Sequence, residues 1–231
     1  MDMNRIVCAP MRILMCLCMC LFCFAQGALA ADEIATTIRD RYASLKSFQA
    51  NFTQYLTHQE SGQTEKREGE LLFRRPFLVS WETKPPVAER LIITDKEIWD
   101  YIADENIAYR YPRELVEDSR SLIQVVTGQA LLSKDFDVKD AGTEGKLRIL
   151  QLYPKEPVPQ LVEARLYVDP EKGYIQRAVI TDFYGNANDV RFTSFIPDAD
   201  IPSRAFRFTA PKGVEVEDRI EKPAIESRDL F

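Results

Sequence analysis

The feature that most constrains this chain is a change of hydrophobic period at Lys46. Before it, Ile34, Ile38, Tyr42 and Leu45 recur at helical spacing, one face of a 3.6-residue period. Asp32 stands where a capping side chain would start that helix at Glu33. After it the period is two. Phe48, Ala50, Phe52 and Leu56 share one face of a strand, with Gln49, Asn51 and Thr53 on the other. The same alternation returns, between turn signals, almost to the C-terminus. A chain written this way has to bury one face of a long antiparallel sheet, and such a sheet must curl to do so.

The succession of turns sets the order. Ser61-Gly62-Gln63 marks a hairpin tip, followed by strands at Glu65 to Arg74, Phe77 to Glu82, Val87 to Thr94, Glu97 to Ile102 and Ile107 to Tyr111. The stretch from Glu114 to Leu132 loses the alternation. Leu115, Leu122, Ile123, Val125 and Val126 fit one or two short helices or an irregular lid. Strands resume at Phe136 to Val138, Lys146 to Tyr153, Leu161 to Val168, Tyr174 to Phe183 and Asn188 to Phe195. A last short one is expected at Ala205 to Thr209. The expected fold is mainly β with α: a single-domain, incomplete antiparallel barrel covered by a helical lid.

The first thirty residues read differently. Arg5 and Arg12 precede an apolar run from Ile13 to Ala25, too short to span a bilayer comfortably. Ala28 and Ala30 supply a small-x-small cleavage pattern, so residues 1–30 are expected to be a signal peptide cut after Ala30. The five cysteines, Cys8, Cys16, Cys18, Cys20 and Cys23, all precede that cut. Residues 31–231 therefore have no disulfide, thiol nucleophile or thiolate metal site. Met15, Leu17, Met19 and Phe22 stand just before cysteines where a lipidation signal needs a small residue, so the exported protein is expected not to be lipidated. The tail from Lys222 to Phe231 is expected to be disordered.

The chemistry of an enzyme is sparse. The single histidine, His58, lies between Thr57 and Gln59 beside a hairpin, and no Gly-x-Ser-x-Gly elbow presents a serine to it. One histidine without cysteine makes a poor zinc site. No Gly-rich phosphate loop or EF-hand loop occurs. Asp95, Asp100 and Asp182 remain as candidates for a two-carboxylate hydrolase. The formal net charge of −6 argues against nucleic acid as a partner. What the strands do carry is aromatic: Phe48, Phe52, Phe73, Phe77, Trp81, Trp99 and Tyr101 are candidate lining for a cavity on the concave face.

Several segments, in order, resemble the outer-membrane lipoprotein carrier family (LolA). They are Ser47-Phe48-Gln49-Ala50-Asn51-Phe52-Thr53-Gln54; Gly69 through Arg74-Arg75-Pro76-Phe77 to Trp81; and Leu91-Ile92-Ile93-Thr94-Asp95 with Ile98-Trp99-Asp100-Tyr101. Asp182-Phe183-Tyr184-Gly185-Asn186 follows, then Phe206-Arg207-Phe208 with Pro211-Lys212-Gly213. Two departures are Lys96, where the family has glycine after aspartate, and Glu89, where it often has glutamine. The resemblance implies a non-enzymatic periplasmic carrier whose cavity takes the acyl chains of lipoproteins. Its cargo would come from an inner-membrane ABC transporter and go to an outer-membrane acceptor. It implies no cofactor or metal, and a monomer is expected. It also implies that Arg75 bonds backbone carbonyls of the lid and governs opening. Related readings are a periplasmic phospholipid or glycolipid binder, or a sensor of mislocalised lipoproteins. The physics suits a carrier. Each buried methylene is worth about 0.8 kcal/mol, so one acyl chain resists leaving a membrane by on the order of 10 kcal/mol.

Overall fold

The structure, a computed structural model, describes residues 31–116, 120–156 and 158–220. The expected signal peptide, its cleavage site and the tail from Lys222 lie outside the described residues. Helix α1, over 31–44, is already formed at Ala31, so Asp32 is not its cap. Its inner face is Ala31, Ala35, Ile38 and Tyr42, each at most 3% exposed, and Leu45 follows just past its end. That stripe at i, i+4, i+7 and i+11 docks α1 on the concave face of a sheet.

The sheet has twelve strands. They are β1 (Ser47–Thr57), β2 (Thr64–Arg74), β3 (Leu78–Thr83), β4 (Glu89–Ile93), β5 (Glu97–Ile102) and β6 (Ile107–Pro112), then β7 (Phe136–Glu144), β8 (Leu147–Pro154), β9 (Glu163–Val168), β10 (Ile175–Thr181), β11 (Ala187–Pro197) and β12 (Glu215–Asp218). Their spatial order is β12-β6-β5-β4-β3-β2-β1-β11-β10-β9-β8-β7. Neighbours are antiparallel except β12, which runs parallel to β6. The terminal strands β12 and β7 do not pair with each other, so the barrel stays open. β1 is the central staple, pairing with β2 along its whole length and with β11 on the other side.

Register assigns the faces. One concave row runs Phe48, Phe73, Val79, Ile93, Ile98, Tyr111 and the next Ala50, Leu71, Trp81, Leu91, Asp100, Tyr109. A slip of one residue would turn both rows outward, so burial of these side chains fixes the pairing. On β5 the inward positions belong to Ile98 and Asp100, both at most 1% exposed. Trp99 and Tyr101, expected from the sequence to line the interior, therefore stand on the convex face instead. There both rings pack on Phe208, at 5.1 and 5.7 Å between centroids.

The connection from β6 to β7 carries a 3-10 turn (Arg113–Val116), α2 (Leu122–Val126) and α3 (Leu132–Asp135). Because β6 and β7 lie near opposite ends of the sheet, this insert bridges the open barrel. The alternation at Ala205 to Thr209 does not make a strand. Residues Ser203–Phe206 form a 3-10 turn on the convex face. The carbonyls of Ile201 and Ala205 are taken by Arg74 and Arg90 side chains instead of a ladder. Ile201 and Phe206 are buried there. The final strand is β12, in residues where no strand was expected. No helix among the described residues is long and apolar enough to cross a membrane.

Candidate functional site

The concave side is filled at one end and hollow at the other. At the filled end α1 packs on an aromatic cluster. Tyr42 meets Phe48 edge-on at 6.0 Å, Phe48 stacks on Phe73 at 5.2 Å and on Phe195 at 4.8 Å, and Phe73 meets Phe77 at 6.1 Å. Arg75 fastens this plug. Its Nε donates to the Leu45 carbonyl at 2.8 Å and its Nη2 to the Tyr42 carbonyl at 2.9 Å. Both carbonyls lie at the end of α1, where helical pairing runs out, and that of Tyr42 also accepts from the Leu45 amide at 3.3 Å.

Tyr42 joins three elements at that point. Its hydroxyl accepts from the Ile175 amide of β10 at 3.2 Å. Its ring lies against Gly128, where an added Cβ would sit 2.2 Å from Cγ. Gly128 closes α2 with a φ of +68°, so α2 is seated directly on α1. Burial pushes the Tyr42 phenol well above its ordinary range, so it stays neutral and hydrogen-bonded.

At the hollow end lies a cavity of about 580 Å³, within the size range of small-molecule sites. Trp81, Leu91 and Ile102 of the β3–β5 wall face Ile180 and Ala187 of the β10–β11 wall, and Leu122 and Ile123 of α2 cover them. Behind Trp81, 4.0 Å between centroids, sits Phe52. Gly69 leaves room for the Phe52 ring, which a Cβ there would meet at 2.5 Å. The polar part of the lining is a band. Gln54 of β1 donates to Asn188 of β11 at 2.9 Å, and Arg67 of β2 donates to Glu89 of β4 at 2.8 Å. The cavity opens toward the β1–β2 hairpin, where its lining residues His58, Gln63 and Glu65 are exposed.

The aromatic set named from the sequence therefore divides. Trp81 lines the cavity with Phe52 behind it; Phe48, Phe73 and Phe77 belong to the plug beside Arg75; Trp99 and Tyr101 face away. The sequence candidates did not include the lining residues Gln54, Leu91, Ile102, Ile180, Ala187, Asn188 and the α2 pair. Gln54 had a signal: period two sets this glutamine on the apolar face between Phe52 and Leu56, and a buried polar residue is the informative kind. Of the carboxylate candidates, Asp95 sits in an exposed turn, Asp182 lines the cavity but spends its oxygens on the β10–β11 turn, and Asp100 lies mid-strand on β5 with its side chain in the cavity wall. No cluster of three or more metal-ligating side chains occurs among the described residues. The Asp95–Lys96 turn closes without glycine because Thr94 Oγ1 accepts from both the Lys96 and Glu97 amides.

The chain is 28% identical over 208 residues to an outer-membrane lipoprotein carrier protein of Proteus mirabilis, covering 90% of this chain and 98% of that one. It is 29% identical over 213 residues to a protein of the same name from Cupriavidus pinatubonensis, covering 89% and 97%. Its fold is similar to a solved but uncharacterized conserved protein of Thermus thermophilus, with a TM-score of 0.55 at 17% identity, over 82% of this chain and 99% of that one. The family model described as outer membrane lipoprotein carrier protein LolA matches residues 43–209, the span from the end of α1 to the strap over the convex face, and the chain belongs to that family.

Proposed function

We propose that this chain is a periplasmic carrier that holds acyl chains of lipoproteins in the cavity beneath α2. It takes them from an inner-membrane ABC transporter and yields them to an outer-membrane acceptor. The observation that carries the reading is the hollow half of the concave face, walled by Trp81, Leu91, Ile102 and Ile180 and covered by Leu122 and Ile123. Apolar area of this kind replaces the membrane interior for an acyl chain. Export through cleavage after Ala30 places the chain in that compartment, and residues 31–231 act there as a monomer.

Arg75 is the control point in this scheme. Its two bonds to the end of α1 hold the plug closed, and α1 holds α2 through Tyr42 and Gly128. A five-residue α2 has little stability of its own, so the cover follows its support.

The test uses the mature protein and inner-membrane vesicles carrying an acylated lipoprotein. Wild type is expected to bring the acylated form into solution and to leave a cysteine-to-serine, non-acylated form unbound. Ile123→Asp, which places a charge under the cover, is expected to lose this extraction. Equal binding of both forms overturns the reading. A phospholipid or glycolipid co-purifying in the cavity, with no lipoprotein extraction, replaces it with another lipid cargo.

A further inference from the structure

The turn between β10 and β11 carries the two most exposed large hydrophobic side chains of the described residues, Phe183 at 72% and Tyr184 at 76%. Their rings meet edge-on at 5.6 Å. The turn that holds them is well tied. Asp182 Oδ1 accepts from the Tyr184 amide at 2.9 Å and the Asn186 amide at 2.8 Å. The Phe183 amide donates to the Pro159 carbonyl at 2.9 Å. Asn186 Oδ1 accepts from the Gln59 amide at 3.0 Å, fixing this tip to the β1–β2 hairpin. Asp182 and Asn186 also line the cavity, so the two rings stand at its opening.

Two adjacent rings that a tied turn holds in water are the kind of patch that marks an interaction site. Two rings at this exposure offer on the order of 300 Å². A stable protein interface takes about 800 Å² from each side. The other exposed large hydrophobics, Leu131, Ile196, Val216 and Ile220, belong to other elements and do not extend the patch. A protruding Phe-Tyr pair matches the headgroup zone of a bilayer, where aromatic rings settle with an apolar body and a wet edge. The neighbours Gln59, Pro159 and Gln160 are uncharged, while Asp182, Glu60 and the net charge of −6 oppose an anionic surface.

We propose that the Phe183–Tyr184 tip dips into the interfacial zone of a zwitterionic bilayer and sets the cavity opening against the surface from which an acyl chain is drawn. This rests on the carrier reading for its purpose, and its test is separate. The mature protein and the double variant Phe183→Ser/Tyr184→Ser are sedimented with phosphatidylcholine vesicles, and both are titrated with a soluble acylated peptide. Wild type is expected to bind the vesicles about tenfold or more better than the double variant, and Tyr184→Trp is expected to bind like wild type where Tyr184→Ser binds weakly. Phosphatidylglycerol in the vesicles is expected to weaken binding at low salt, and added salt to recover it. Peptide binding is expected to be the same in both proteins. Equal vesicle binding by wild type and double variant overturns the proposal. So does a variant that binds vesicles normally but loses transporter-dependent release, which would assign the tip to a protein contact. Failure of both proteins to bind the peptide strikes at the carrier reading and leaves the vesicle result to stand by itself.

Discussion

Gly128 and Gly62 share a left-handed backbone, with φ of +68° and +67°, and differ in what surrounds them. Around Gly62 an added Cβ meets nothing within 4 Å; at Gly128 it meets three ring carbons of Tyr42 between 2.2 and 2.7 Å. The backbone strain of alanine in this conformation is about 1 kcal/mol in either place. At Gly128 overpacking adds roughly 1–3 kcal/mol, because a buried ring cannot yield. Urea unfolding is expected to show Gly62→Ala within about 1 kcal/mol of wild type and Gly128→Ala clearly below it. Equal losses would mean that the seat of α2 on Tyr42 carries no weight. Gln54 makes the complementary point. Its place on an apolar face is visible in the strand period, whereas its partner Asn188 lies 134 residues away and only the β1–β11 register brings it there.

At the scale of elements, the end of α1 is fastened by two bonds from the Arg75 side chain, beside the Tyr42 hydroxyl bond to β10 and the buried apolar stripe of the helix. Hydrogen bonds to a charged group contribute roughly 1.5–3 kcal/mol, so Arg75→Leu is expected to raise amide exchange in residues 31–45 by about tenfold or more while β1 and β2 keep their protection. Uniform exchange changes, or none, would remove Arg75 as the fastening of α1. A second joint is electrostatic. On the convex face Asp189 of β11 accepts from Arg177 Nε and Nη2 at 2.8 and 2.9 Å and from Arg191 Nη2 at 2.7 Å. Burial alone would raise its pKa, and the hydrogen bonds from Arg191 and Arg177 more than reverse this, leaving it below the ordinary value. A lowered folded-state pKa gives stability that is present above the unfolded value of about 3.9 and lost as pH falls through the folded one. Asp189→Asn is therefore expected to be less stable than wild type at pH 7 by about 1–2 kcal/mol, discounted for partial exposure, with the gap closing as pH falls below the unfolded carboxylate value. A gap that persists in acid would mean the loss is one of packing. Most strands were legible because their alternation is local. β12 and the strap at 201–209 were not: the strap's pattern is that of a strand, but Arg74 and Arg90 take its carbonyls and hold it across the face of the sheet.

At the scale of the whole molecule, the open barrel is a container whose free volume depends on how far α1 reaches into it. Composition and period made an aromatic-rich concave face legible, but they could not say which aromatics fill it and which leave it empty. Phe48 and Phe73 are as apolar as Trp81, yet the first two sit in the aromatic cluster that Tyr42 of α1 caps and the third lines the cavity. A cavity of about 580 Å³ with a fixed far end should act as a ruler for the chain it holds. Each methylene that enters adds about 0.8 kcal/mol, close to a fourfold gain in affinity, and a methylene left outside adds nothing. Titration with peptides carrying single acyl chains of increasing length is expected to show that gain per carbon and then a plateau. Ile102→Trp, which adds a ring to the cavity wall, is expected to bring the plateau at a shorter chain without weakening the short ones. Arg75→Leu is expected to move it to longer chains, because a loosened α1 surrenders space at the plugged end. A single curve for all three proteins would mean that the chain lies somewhere other than beneath α2.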